Sequence, residues 1–204
     1  MQKPTLLFIV GLPASGKSSV SKRLAELYSY PILEKDEIKE VLFDTIGFQN
    51  YPEKRRLDVV ANEELLYVAG KMLDAGQSMI VVNNFRKDME ERVKSFVESH
   101  PCKVLFLFLK GDADVFFKRY EARDIAKARH LGHILCDHYP LREGETCDYV
   151  PTRESYREIF EMLGMDDFHI GCPEMNINTT NLDEVNVDEL AIQIQNTLKE
   201  IYGE

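Results

Sequence analysis

Residues 11 to 18 read GLPASGKS, and what stands on either side of them leaves the chain few folds to choose from. Before them, Thr5 to Val10 form an almost unbroken apolar run rich in branched side chains. That is the pattern of a strand buried on both faces, as in a parallel sheet. After them, from Lys17 onward, Val20, Leu24 and Leu27 recur at helical spacing. Strand, glycine-bounded loop and helix therefore follow in order, and the loop obeys G-x-x-x-x-G-K-[ST] with Gly11, Gly16, Lys17 and Ser18 in place. The two glycines let the backbone curl tightly and aim its N–H groups at an anion. The helix start adds a partial positive charge at the same point. Lys17 can reach the β- and γ-phosphates of a nucleotide, and the Ser18 hydroxyl can ligate Mg²⁺. Gly11, Pro13, Ala14, Ser15, Gly16, Lys17, Ser18 and Ser19 are accordingly read as a cradle for ATP·Mg²⁺, with Ser18 as the metal contact.

The remainder alternates strand and helix. Residues 31–34 read as a short strand and are followed by a helix opening near Asp36. Residues 53–75 set Leu57, Val60, Ala61, Leu65, Val68 and Met72 on one face of a long helix closed by Gly76. Residues 78–83 and 103–109 are two more apolar strands, with a helix over 87–99 between them. Helices are expected from Asp112 toward Lys127 and over 153–163, a last strand within 168–179, and a final helix from Asn186, with Glu189 in a capping box, to about Ile201. Five strands joined by helices make a parallel, doubly wound α/β sheet with helices on both faces. With 204 residues, 44% of them apolar, the chain suffices for one sizeable core, so residues 1–204 read as a single domain. The irregular stretch 128–152 mixes His, Gly, Pro and Cys, as functional loops and lids do.

Ligands of such sheets sit at the carboxyl ends of the strands. Those ends carry the phosphate loop, then EKDE (Glu34 to Glu37), NNFRK (Asn83 to Lys87), KGDAD (Lys110 to Asp114) and NTTNLDE (Asn178 to Glu184). A net charge of −10 provides no basic footprint for long nucleic acids, which makes them unlikely partners. No apolar stretch approaches membrane-spanning length, and the N-terminus lacks a secretory pattern. Cys102, Cys136, Cys147 and Cys172 are scattered without C-x-x-C spacing and read as free thiols in a reducing cytoplasm.

GLPASGKSS, an acid pair just after the second strand, and a helix carrying spaced arginines together resemble the P-loop kinases. The likeness is nearest to the group of zeta toxins and polynucleotide kinases, and more distant to gluconate, shikimate and nucleoside monophosphate kinases. It covers the chain to about Asn196. The resemblance implies that Asp36 accepts the proton of an attacking hydroxyl and that Lys39 contacts the acceptor, to which Asn84 and Arg86 at the next strand end are added. It also implies a lid, here residues 115–135, in which Arg119 contacts the nucleotide and Arg123 and Arg129, with Lys17, stabilise the transfer. Residues 40–60 and 137–165 would form the acceptor cap.

Plainer readings stand beside these. Asp36 can be the N-cap of its helix. Arg119 and Arg123 can lie on a solvated helix face. Arg55 and Arg56 read as surface residues, and His130 and His133 as structural rather than catalytic. P-loop NTPases carry an acid at the end of a central strand to position magnesium, whereas the third strand here ends in Asn83 and Asn84. Magnesium would then rest on Ser18, the phosphates and, through water, Asp36. The expectation is an ATP-dependent kinase acting on a small-molecule hydroxyl. Two alternatives stay open: an enzyme acting on a nucleic-acid or peptidoglycan-precursor hydroxyl, and a non-catalytic nucleotide switch.

Overall fold

A computed structural model describes residues 3–126 and 128–203, apart from the side chains of Ile159, Met162, Leu163 and Asp166. Its centre is a five-stranded parallel sheet made of β1 (Thr5–Gly11), β2 (Ile32–Glu34), β3 (Met79–Asn83), β4 (Lys103–Lys110) and β5 (Glu174–Asn178), in the order β2-β3-β1-β4-β5. β1 lies between β3, with Phe8 opposite Val81, and β4, with Phe8 opposite Phe106. Strand order reverses about β1, so the loop that follows it opens at the crevice where such sheets bind ligands.

β1 sends alternate side chains to opposite faces, and both faces are covered. Leu6, Phe8 and Val10 pack with Leu65, Ala69, Val93 and Phe96 of α3 (Tyr51–Asp74) and α4 (Glu90–Ser99). Leu7 and Ile9 pack with Val20, Leu24, Leu190 and Ile194 of α1 (Lys17–Tyr28) and α8 (Val187–Tyr202). This two-sided burial explains why the central strands are continuous apolar runs rather than alternating ones. Two smaller clusters lie beyond the strand ends. One joins α2 (Lys35–Ile46), the start of α3 and α6 (Leu131–Ile134) around Phe43, Phe48, Leu57 and Ile134. The other joins α5 (Ala113–Ile125) and α7 (Arg153–Leu163) around Phe116, Phe117 and Tyr156, against Leu12 of the phosphate loop.

The element boundaries agree with the sequence pattern to within a few residues, but the face of α3 does not. Leu57, Ala61 and Leu65 are buried as expected, whereas Val60 and Val68 are exposed, and Leu66, Ala69 and Leu73 take the inner positions. The helix meets the α2 cluster near its start and the sheet near its end, so its buried stripe drifts round the axis. The helix starts are capped as their sequences suggest: Asn50, Asp112, Thr152 and Asn186 each accept first-turn N–H groups. No helix among the described residues is long and apolar enough to cross a membrane.

Candidate active site

The loop from β1 into α1 curls tightly on its two glycines. Gly16 stands at φ 95°, and a Cβ there would collide with Leu182 Cδ2. A Cβ on Gly11 would meet the Leu109 carbonyl and Ser15 Oγ, each at 2.7 Å. Gly16 brings no side chain to cap α1, so the helix start is open to an anion from the loop. The Lys17 ammonium folds back on the loop and donates to the carbonyls of Gly11 at 2.8 Å and Leu12 at 2.9 Å. Burial pushes it down to about 7, against the pull of Asp36 and Glu34. Among the described residues no carboxylate forms an ion pair with it, and a phosphate would favour its charged form.

Pro13, Ala14, Gly16, Lys17, Ser18 and Ser19 line a hollow of about 250 Å³ together with Glu34, Asp36, Asn84, Arg119, Arg123 and Arg129, while Gly11 and Ser15, also expected in the cradle, stand behind its wall. Its polar groups suit a polyphosphate with magnesium. Ser15 Oγ and Arg123 Nε and Nη2 are buried without a hydrogen-bond partner among the described residues. The Ser18 hydroxyl donates to Glu34 Oε1 at 3.1 Å, which sets a hydroxyl and a carboxylate side by side. Burial raises the Glu34 carboxyl, with the Ser18 bond opposing it. Among the described residues no three His, Cys, Asp or Glu side chains converge as a metal cluster. A magnesium ion here would therefore take most of its ligands from phosphate and water, as this ion commonly does.

A second hollow, of about 200 Å³, adjoins the first and is walled by α2, α3, the end of β3 and residues of α7. Pro13, Asp36, Asn84 and Arg129 line both hollows. Asp36 thus stands at the junction, in the first turn of α2, with Lys35 Nζ 3.1 Å from its Oδ1. Burial alone would raise its carboxyl, but the basic groups around it act together, Lys35 first and then His133, Arg129 and Lys39, and hold it well below the usual carboxylate range. The cap reading of Asp36 does not hold: Glu34 occupies the N-cap position, and no side chain caps this helix.

The second hollow is built on a buried ion cluster. Asp58, 8% exposed, accepts from Lys39 at 2.7 Å and Lys35 at 3.1 Å on Oδ1. On Oδ2 it faces Arg86 Nη1 at 3.6 Å and Arg55 Nη1 at 3.9 Å. Burial would raise the Asp58 carboxyl, but Lys35 and Lys39 drive it far below its ordinary value. A hydrogen-bond chain then runs from α3 to the sheet. Asn62 donates to the Asp58 carbonyl, Asn83 donates to Asn62 Oδ1 at 2.7 Å, and the Asn84 N–H donates to Asn83 Oδ1 at 2.7 Å. Asn83 therefore fixes the end of β3 and the placement of Asn84, whose Oδ1 is buried and unpartnered.

Of the residues expected at the site, Lys17, Ser18, Asp36, Lys39, Asn84, Arg86, Arg119, Arg123 and Arg129 all line one or both hollows. Arg119 is tied down, donating to the carbonyls of Thr179 at 2.9 Å and Thr180 at 2.6 Å, and so is not on a solvated face. Arg55, expected on the surface, lines the second hollow, while Arg56 is exposed. His130 accepts from the Gly132 N–H and pairs with Asp44, a structural role, whereas buried His133 lines the second hollow and pairs with Glu40. Lys127 lies outside the described residues. Sequence reasoning placed Glu34 and Lys35 on the rim without a role and gave no role to Lys54, Asp58 or Asn62. A signal existed for three of them. Lys54, Asp58 and Asn62 recur every four residues beside the apolar stripe of α3, which puts polar groups on a buried face.

Comparison with known proteins places this architecture among relatives. Residues 6–131 match a family model described as an AAA domain. A shikimate kinase of Rhodopseudomonas palustris is 25% identical over 146 residues, covering 65% of this chain and 66% of that protein. The chain thus spans just under two thirds of the length of that curated relative. The crystal structure of a protein from Chloroflexus aurantiacus J-10-fl, titled a "putative kinase", superposes with a TM-score of 0.78 at 27% identity, covering 96% of this chain and 98% of that one. A gluconokinase from Sinorhizobium meliloti 1021 shares the fold at a TM-score of 0.55 and 15% identity, covering 98% and 95%.

Proposed function

The chain belongs to the AAA domain family of P-loop kinases, whose model spans residues 6–131, and we propose that it is an ATP-dependent phosphotransferase acting on a hydroxyl of a small molecule. The observation that carries the reading is the position of Asp36. It is an ionised carboxylate at the junction of the phosphate-loop hollow and a second hollow large enough for a small acceptor. The kinase names of the relatives agree with it.

Within this reading the loop N–H groups and Lys17 hold the β- and γ-phosphates, and Ser18 with Glu34 would hold magnesium. Magnesium, when bound, supplies positive charge against the phosphate oxygens. Asp36 accepts a hydrogen bond from the acceptor hydroxyl, orients its oxygen toward the phosphate loop and takes its proton as the new bond forms. Arg123 has two buried donors without a hydrogen bond among the described residues, and it and Arg129 face the buried Asp124 carboxylate only at 3.7 and 3.8 Å; both are poised to meet charge that spreads over the transferred group. Asn84 adds an unpartnered acceptor at the same junction. Arg119 anchors α5 to the carbonyls after β5, so the nucleotide base is assigned to the space between that helix and the loop after Thr180. Residues 115–135 act as the lid, and 40–60 with 137–165 as the acceptor cap.

Asp36→Asn tests the assignment. The variant keeps its ATP affinity or gains slightly, because Asp36 lines the phosphate hollow as an anion and gives the phosphates no donor, and it loses about 10²- to 10⁴-fold in transfer rate. Fractions of a metabolite extract incubated with γ-labelled ATP supply the acceptor. Transfer by the variant at the wild-type rate would refute the role of Asp36.

A further inference from the structure

A chain with a net charge of −10 sets six cations around one small hollow: Lys35, Lys39, Lys54, Arg55, Arg86 and Arg129. Only two acids, Asp36 and Asp58, line it with them. Lys35, Lys39 and Lys54 are each more than nine-tenths buried, a cost that lysine rarely bears without charged partners. Lys54 has only carbonyls to donate to, those of His133 and Leu135, and no carboxylate among the described residues pairs with it. Burial pushes its ammonium down to about 8. Arg86 spends Nε and Nη2 on Asp88, leaving Nη1 buried with no hydrogen bond. Arg55 Nη1 and Arg86 Nη1 face the same Asp58 oxygen from 3.9 and 3.6 Å, beyond hydrogen-bond reach. Their donors remain available to something else. Arg129 lies 3.8 Å from the buried carboxylate of Asp124, which it shares with Arg123. Even with Asp88 and Asp124 added to the two lining acids, the six cations outnumber the acids by two.

Resting on the kinase reading above, we propose that the acceptor is a multiply charged oxyanion bearing a free hydroxyl, a phosphomonoester or a polycarboxylate. Its anionic end is received by Lys54, Arg55 and Arg86 along α3 and the end of β3, while its hydroxyl points to Asp36. The inference concerns charge and therefore excludes neutral polyols, amines and simple monoanions as the preferred acceptor. Asp58 serves as a positioning residue: it gathers the cations without neutralising all of them.

Two measurements test this, and they fail independently. In the first, inorganic phosphate is titrated calorimetrically into protein saturated with Mg²⁺ and a non-hydrolysable ATP analogue, so that the phosphate loop is already filled. Saturable phosphate binding is expected, weakened about 10- to 100-fold in Arg55→Gln and in Arg86→Gln, with no binding of erythritol. Absence of phosphate binding, or binding that neither variant moves, overturns the proposal. Arg55 is partly exposed, so its variant keeps the test valid if Arg86→Gln fails to fold. In the second, a metabolite extract is split by anion exchange into neutral and cationic, singly charged and multiply charged fractions, each incubated with γ-labelled ATP. Labelled product from the multiply charged fraction supports the proposal, and phosphatase treatment of that fraction beforehand separates phosphomonoesters from polycarboxylates. Product only from the other fractions overturns the acceptor class and leaves the kinase intact. Phosphate binding with no product from any fraction overturns the kinase reading and supports a site for anions of this charge.

Discussion

Asp58→Asn removes one charge and almost no volume, so its effect isolates the ion cluster beneath the acceptor hollow. In the wild type, Lys39 and Lys35 lie at 2.7 and 3.1 Å from Asp58 Oδ1, and the carboxylate is 8% exposed. Removing one partner of a buried ion pair costs about 3–5 kcal/mol, because the remaining charge is stranded. Lys35 keeps Asp36 at 3.1 Å, so the lower end, about 3 kcal/mol, is expected. In urea, with a slope of about 2–3 kcal/mol per molar, the midpoint falls by about 1 M. The sign of the pH dependence follows from the depressed Asp58 carboxyl. Its stabilisation is fully present above the unfolded value of about 3.9 and is lost as pH falls through the lower folded value. The gap between variant and wild type therefore narrows below about pH 4. ATP affinity stays unchanged, since Asp58 lines only the second hollow. Adding Lys39→Met recovers part of the loss by removing a stranded cation. A cost below about 1 kcal/mol, or a gap indifferent to acid, would refute the reasoning.

Other outcomes follow from the same geometry. Burial pushes Lys17 down to about 7 in the free protein, and phosphates favour its charged form, so ATP binding at pH 8 takes up a proton and weakens as pH climbs past 7. Calorimetry in buffers of different ionisation enthalpy reads the uptake, and heats that do not depend on buffer exclude it. Glu34→Gln raises the magnesium concentration needed for half-maximal transfer about 10- to 100-fold while leaving metal-free ATP binding alone; an unchanged magnesium requirement removes Glu34 from the metal. Residues 115–135 exchange amide hydrogen more slowly when a non-hydrolysable ATP analogue is bound, and equal exchange with and without it removes the lid.

The order of strands and helices, the phosphate loop and the carboxyl-end rim were determined by the sequence alone. These properties are local. A six-residue apolar run, a glycine-bounded turn and a helical stripe each declare themselves within a few residues, and the rule that ligands gather at strand ends does the rest. Asp36 could be placed on the rim because it closely follows β2, while its role and the choice of Lys39 came from the resemblance to P-loop kinases. What only the tertiary structure decided depends on which helix lies against which. That Glu34 meets Ser18 needs the end of β2 beside the start of α1, although 16 residues separate them. That Asn83 is a strut and not a metal position needs Asn62 of α3 opposite it. The ion cluster needs α2, α3 and the end of β3 to converge on Asp58, whose partners lie as far apart in sequence as Lys35 and Arg86. A charge on an amphipathic helix has the same local signature whether it points to water or into a cavity. Its electrostatic role is set by the groups that long-range packing brings within a few ångströms, and those distances are not encoded in any one segment.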